Sequence, residues 1–427
     1  MTQIIPLDSG TTGELPQRGG LSKLKTALRA LRHRNYRLFF AGQLISLVGT
    51  WMQMIAQSWL VYRLTGSSFL LGAIGFASQM PIFLLAFVGG TIADRYNRHR
   101  VVIATQAASM ILALSLSVLT LTGTVRIWHI FVLSALLGVV NAFDMPTRQA
   151  FIVELVERED LMNAIALNSS IFNGARVMGP AVAGMVIAGI GEGWCFFANG
   201  ISYMAVIAGL LLMKLKAHEG TNRKESAISS ILDGFHFVRR TRPIRALLLL
   251  LGLLSIVGMP YSVLMPIFAD KILHGGPRGL GILMGATGFG ALIGSISLAT
   301  KSGTEGLGKL VAYASAGFGA GLLLFSVSRN FWLSAIFLVP VGMSFMITMA
   351  CTNTLTQTVV PDHLRGRVMA THVWMFLGMT PFGSFLAGAI ATHAGAPATM
   401  FVGALLCMAG AGLFAFRLRG LKFSARS

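Results

Sequence analysis

Charge is what this 427-residue chain has least of. Asp, Glu, Lys and Arg make up 11% of it, under half of the roughly 25% found in ordinary soluble domains. A soluble protein of this length could not cover its surface with so few charges. Carboxylates are scarcest: 15 acidic residues against 34 basic ones. They form no cluster spaced for a metal or for acid–base catalysis. Cysteine is nearly missing. Cys195, Cys351 and Cys407 stand far apart in apolar segments, which excludes a disulfide framework and reads as small packing residues. Residues 1–20 have no apolar core, so no cleaved secretory signal is expected there. No polar stretch reaches the roughly 50 residues of a small domain, so no separate soluble domain is expected either.

What is present is apolar. Hydrophobic residues make up 54% of the chain, and mean hydropathy is +0.71. Twelve segments are long and apolar enough to cross a bilayer: 36–63, 68–91, 101–122, 127–147, 164–190, 194–214, 245–270, 279–300, 309–328, 331–353, 367–391 and 397–417, numbered below as spans 1–12. An even number of spans puts both ends of the chain on one side. Placing them inside leaves 28 of the 34 lysines and arginines there. Arg63, Arg126, Lys271, Arg278 and Arg329 fall outside, and Arg176 falls within span 5. That asymmetry predicts cytoplasmic termini. It also accounts for the net charge of +19 through anionic lipid, with no nucleic acid as partner. Residues 21–34 carry Leu21, Leu24, Leu28 and Leu31 as an apolar stripe among Lys and Arg, the pattern of a helix lying on the inner membrane surface.

The halves resemble each other. Arg34-Asn-Tyr-Arg37 opens span 1 and Arg242-Pro-Ile-Arg245 opens span 7. Glu159-Asp160-Leu161 precedes span 5 and Asp362-His363-Leu364 precedes span 11. The offsets, 208 and 203, predict a duplicated six-helix unit. Six is even, so both copies share one orientation and a substrate site is expected between them at mid-membrane. The predicted organisation is an N-terminal segment 1–35, a first bundle 36–214, a linker 215–244, a second bundle 245–417 and a tail 418–427. Within the linker, Ile228, Ile231, Leu232 and Phe235 are spaced as a surface helix.

Span 1 carries Gln43, Ser46, Thr50, Gln53 and Gln57 on one helical face. Bilayer on all sides would leave them unsatisfied, so this face is expected to border a polar path. Gly90-Thr-Ile-Ala-Asp94-Arg95-Tyr-Asn97-Arg98-His-Arg100, between spans 2 and 3, resembles the signature loop of the major facilitator superfamily. Asn97 stands where that family has Gly, a position expected to keep a left-handed turn. The resemblance implies an all-α integral membrane protein of twelve transmembrane helices in two six-helix bundles. It also implies a latch formed by Gly90, Asp94, Arg95, Arg98 and Arg100. Asp94 would face the start of span 11, and Arg95 or Arg98 would reach Asp144, a neighbour of Arg148 on span 4. These contacts would hold an outward-facing state.

On span 5, Arg176 is followed by Gly179, Pro180, Ala183 and Gly184. This run is similar to the antiporter motif of drug and metabolite exporters in that superfamily, with Ala183 replacing a glycine. Arg176 either binds an anionic substrate group or pairs with backbone carbonyls. The expected cavity residues are Gln53, Gln57, Asn141, Asn173, Arg176, Tyr261, Thr348, His372 and Trp374. Apart from Arg176 the cavity is apolar and hydrogen-bonding, suited to amphipathic or aromatic molecules. Gly303 to Lys309 nearly matches a phosphate-binding loop, but Leu310 replaces the magnesium-binding hydroxyl. The match reads as chance, and ATP is not expected.

The run from Asp144 to Arg176 looks most like bacterial enterobactin and macrolide exporters. The resemblance implies a monomeric, cofactor-free transporter of the bacterial inner or plasma membrane. It would exchange protons for an amphipathic drug, siderophore or other secondary metabolite by alternating access. No carboxylate is placed at mid-membrane, so coupling falls to Asp144, Asp94, Asp270 or His372. An uptake permease or facilitator, and a non-transporting receptor, are the competing readings.

Overall fold

The computed structural model describes residues 28–214, 227–299, 301 and 303–418. Half of the expected surface helix 21–34 therefore lies outside the described residues, and its described part holds a short 3-10 turn, Arg29–Arg32. Most of the N-terminal segment, 12 of the linker's 30 residues and the tail beyond Leu418 also lie outside. Within the described residues the chain is helical. Spans 1–6 are Arg34–Thr65, Ser68–Arg95, Arg98–Leu121, Ile127–Leu155, Leu161–Ile190 and Glu192–Leu211. A linker helix, Ala227–Arg240, precedes span 7, Arg242–Ile272. Spans 8–10 are Gly276–Ala299, Leu307–Val327 and Phe331–Val359.

The last apolar stretch, Asp362–Leu418, is 57 residues long. A continuous helix of that length would extend about 85 Å, far beyond a hydrocarbon core of about 30 Å. Gly395, with φ 81° and ψ 158°, breaks it and makes two crossings, spans 11 and 12. The twelve expected crossings are all present, most of them longer at their ends than the apolar runs alone.

Local chemistry sets the turns. Gly66 ends span 1 in the left-handed region (φ 59°), where glycine bears no Cβ penalty. The Ser67 hydroxyl accepts from the Leu70 amide at 3.3 Å to start span 2. Asn97 corrects an expectation. Its φ is −61°, outside the left-handed region, and its side chain caps span 3 by accepting from the Arg100 amide at 3.1 Å. Asn is there for its carbonyl oxygen.

Buried packing distinguishes the two ends of the molecule. One apolar core, which runs the length of the second half as far as Leu247 and Leu355, joins the halves through Tyr62, Leu71, Phe196, Phe268 and Phe325, near the turns joining spans 1–2, 5–6, 7–8 and 9–10. We call this the far end. At the opposite, linker end, Tyr36, Phe39, Val102 and Phe151 form a core of the first half alone. Val238, Ile244, Leu248 and Val368 form another in the second half. Residues such as Ile111, Val118, Leu211 and Phe416 point outward, 59–78% exposed. That apolar belt suits lipid and would be costly in water.

The start of the chain is tied to the first half by charge. Asp160, 1% exposed, receives Arg29 at 2.8 Å, Arg32 at 2.9 Å and His33 at 2.7 Å. At the 203-residue offset its counterpart is His363, and Asp362, the counterpart of Glu159, is 87% exposed and pairs with nearby Arg365, so the two copies have diverged here. The His33 hydrogen bond, and then the Arg29 and Arg32 charges, outweigh burial and hold the Asp160 carboxyl below its ordinary 3.8. A depressed carboxylate stabilises the fold above its unfolded value and loses that contribution as pH falls through the folded one. Docking of Arg29–His33 is therefore expected to be unchanged down to about pH 4 and lost below it. Hydrogen–deuterium exchange over residues 28–36 should rise there, and at pH 7 in Asp160→Asn. Protection unchanged in the variant would refute the anchor.

Candidate functional site

The halves touch through small residues. A Cβ placed on Gly184 of span 5 would lie 3.0 Å from the Gly281 Cα of span 8, and one on Gly72 of span 2 would lie 2.9 Å from the Gly388 Cα of span 11. Gly72 and Gly281 differ by 209 positions, and Gly184 and Gly388 by 204. Those offsets match the sequence repeat to within one residue, so one contact is made twice about a pseudo-twofold axis. In a bilayer, where helices gain little by hiding apolar surface, such close backbone packing is what holds them together. Pro180 supports it: its carbonyl oxygen would meet a Gly281 Cβ at 2.5 Å. Gly179 packs on Trp51 of span 1, and Ala183 is fully buried.

Tyr62 and Asp270 lie at the far end and are 208 positions apart, so they are repeat-related, and they meet. The Tyr62 hydroxyl donates to Asp270 Oδ2 at 2.7 Å. Equivalent residues in contact must sit near the axis, so this bond ties the halves together at their centre. Lys271 lies 5.9 Å from the Tyr62 ring, and Ser68 and Thr392 are 3.1 Å apart nearby. Toward the middle, Phe83 stacks on Trp374 with centroids 5.1 Å apart. Between these contacts lies a space of about 150 Å³ bordered by Gln57, Ser78, Gln79, Ser262 and Thr380.

The linker end is arranged differently. Asp94 is 65% exposed, and among the described residues its ion pair is to Arg98 of its own half at 3.6 Å. Arg98 reaches Glu154 at 2.8 Å. The expected contact of Arg95 or Arg98 with Asp144 is therefore replaced by Arg98 with Glu154. Arg95 and Arg100 are exposed, and a Cβ on Gly90 would meet nothing within 4 Å.

Asp144 lies inside the first half, 2% exposed. It accepts from Thr105 at 2.8 Å, Gln106 at 2.9 Å and Arg148 at 2.8 Å. Arg148 also donates to Gln43 Oε1 at 2.9 Å. Gln43 Nε2 and Gln106 Oε1, flanking the pair, are buried without partners among the described residues. Such atoms are where ordered water would bridge. Both Asp144 oxygens are engaged, one by Thr105 and Gln106 and the other by Arg148.

The other expected cavity residues divide. Gln57 borders the space between halves, donating to Ser134 at 3.0 Å. Arg176, Asn141 and Trp374 are half-buried. Gln53 does not face the cavity: it accepts from Asn199 of span 6 at 2.6 Å inside the first half. Thr348 is buried, 3.4 Å from Ser315 of span 9. Asn173 is 6% exposed and donates to the Ser169 carbonyl on its own helix. His372 is 2% exposed, and neither ring nitrogen has a partner among the described residues. Tyr261 is 4% exposed and follows the π-helical turn Leu254–Gly258 of span 7.

Arg176 gathers residues from both halves. Its guanidinium lies 5.9 Å from the Trp51 ring centre and 5.8 Å from that of Phe345 on span 10. The Tyr261 hydroxyl lies close to it as well. Arginine in mid-bilayer costs about 2.5–3.5 kcal/mol on insertion scales. Cation–π contacts return about 0.5–2 kcal/mol each. Trp51, Phe345, Tyr62 and Glu154 escaped the sequence reading. Three of them are aromatics inside apolar runs, but the 208-residue offset could have paired Tyr62 with Asp270.

Comparison with known proteins accords with this geometry. A family model described as transmembrane secretion effector matches residues 25–426. The staphyloferrin A transporter of Staphylococcus aureus is 29% identical over 82% of this chain and 88% of its own length. The multidrug efflux pump Tap of Mycolicibacterium fortuitum is 25% identical over 88% and 95%. The enterobactin exporter EntS of Shigella boydii is 26% identical over 82% and 82%. A crystal structure of the nucleoside transporter NupG (a point mutant) superposes with a TM-score of 0.71 at 12% identity, covering 90% of this chain and 99% of that one.

Proposed function

The chain belongs to the transmembrane secretion effector family of major facilitator transporters, and on that premise we propose that it exports an amphipathic small molecule in exchange for protons. It is a multi-pass membrane protein and a transporter, not an enzyme. The observation that carries the reading is the unequal packing of the two ends: the core that joins the halves takes its first-half residues from the far end and the middle, whereas the two smaller cores at the linker end each belong to one half. With the basic linker end cytoplasmic, this is an inward-facing carrier ready to take substrate from the cell. Asp144 is the proton site in this reading. It is ionised and paired with Arg148 while the carrier faces inward, and it is protonated from outside when the carrier faces outward. Asp94, released here, would dock at the start of span 11 when the linker end closes.

The test begins with the compounds secreted by cells with and without this gene. A compound lost with the gene is then offered to inside-out vesicles. It should accumulate in an acidic lumen and leave when the gradient is dissipated. Accumulation only in an alkaline lumen would establish symport and overturn export by antiport.

A further inference from the structure

We infer that Arg176, set between the Trp51 and Phe345 rings, is a binding site that selects organic anions carrying a flat apolar body. This rests on the reading that the space between the halves is the transport path. The buried carboxylates of the first half are committed elsewhere: Asp144 to Arg148, Glu192 to Arg63 at 2.7 Å, and Asp160 to Arg29 and Arg32. Among the described residues Arg176 has no carboxylate within ion-pair distance, and it is half-buried. A cation removed from water without a counter-charge favours any anion that reaches it.

Its surroundings set the shape of that anion. Trp51 and Phe345 offer aromatic rings from opposite halves, and Phe172 packs edge-on against Trp51 at 5.7 Å. A planar apolar body can lie against these rings while its acid group takes the guanidinium fork. Tyr261 supplies a hydroxyl beside the same group. One half brings the charge and the other brings Phe345 and Tyr261, so a bound anion touches both bundles and senses their relative movement.

The experiment uses the full chain in lipid nanodiscs, with empty nanodiscs as blank. The probes are 2-naphthoate and its neutral counterpart 2-naphthamide. The acid should bind at least about tenfold more tightly than the amide, the scale of a charge-assisted hydrogen bond. Arg176→Gln should bring the two within about twofold, the acid losing more affinity than the amide. Arg176→Lys should keep part of the preference, because it keeps the charge without the fork. Thermal unfolding of each variant shows that the fold is retained. Equal binding of acid and amide by the unaltered protein, including no binding of either, overturns the assignment. So does a preference that survives Arg176→Gln. Flux in proteoliposomes separates this from the transport reading. Both probes crossing at equal rates leaves the carrier and removes the anion site. Selective binding without flux keeps the anion site and removes the carrier.

Discussion

Replacing Asp144 with asparagine is expected to abolish proton-driven export, by at least about tenfold, while exchange of substrate for substrate across the same membrane continues. Asparagine keeps an oxygen for Thr105 and Gln106, which now donate at 2.8 and 2.9 Å. It removes the charge that Arg148 faces at 2.8 Å and so imitates the protonated state. In an antiporter only the proton-loaded or substrate-loaded carrier should turn over between states. Asp144→Asn should therefore reorient freely, and its linker-end distances, measured between spin labels, should no longer respond to pH. Deleting one partner of a buried pair costs about 3–5 kcal/mol. Asp144→Ala should consequently unfold at lower temperature than Asp144→Asn, whose retained hydrogen bonds offset part of that loss. Export that still follows the pH gradient in Asp144→Asn would remove Asp144 as the proton site and leave Asp94, Asp270 and His372.

The second large effect concerns two glycines that should respond in opposite directions. A Cβ on Gly184 would lie 2.9 Å from the Pro277 carbonyl oxygen and 3.0 Å from the Gly281 Cα, backbone atoms that cannot rotate away. Leucine there should force spans 5 and 8 apart and open the far end. Gly90 meets nothing within 4 Å in this conformation, so leucine should leave the present state intact. Its cost should fall on the state in which the linker end closes around it. The native cysteines are fully buried, so a single cysteine introduced at Ser68 reports on far-end opening through its labelling rate. Gly184→Leu should raise that rate about tenfold or more, the equivalent of moving a two-state balance by about 1.4 kcal/mol. Gly90→Leu should lower it. The same direction of change in both variants would show that the ends do not open alternately.

Much of the architecture could be read from residue order. The twelve apolar runs, the one-sided basic residues and the paired Arg-x-x-Arg and acidic-Leu signatures describe a duplicated bundle before any contact is known. Arg176 was visible because a lone cation in an apolar run has no other easy explanation. The polar face of span 1 was visible too, but its neighbours were not. Gln43 and Gln53 turn to Arg148 and Asn199 inside the first half, and Gln57 borders the space between halves. Helical periodicity assigns residues to a face and says nothing of which helix lies opposite. Counting from the end of its apolar run, 127–147, puts Asp144 near the inner surface. Span 4 in fact continues as helix to Leu155, which puts Asp144 well inside the bundle.

Sequence alone determined that the chain crosses a membrane, how many times, and that it does so as two similar halves, because hydropathy and charge act on each segment separately. Tertiary structure decided which polar groups satisfy one another and which end of the molecule is open. Those outcomes depend on contacts between segments far apart in the chain, such as Gly184 on Gly281 and Tyr62 on Asp270. They also depend on the small free-energy difference between two packings of the same helices.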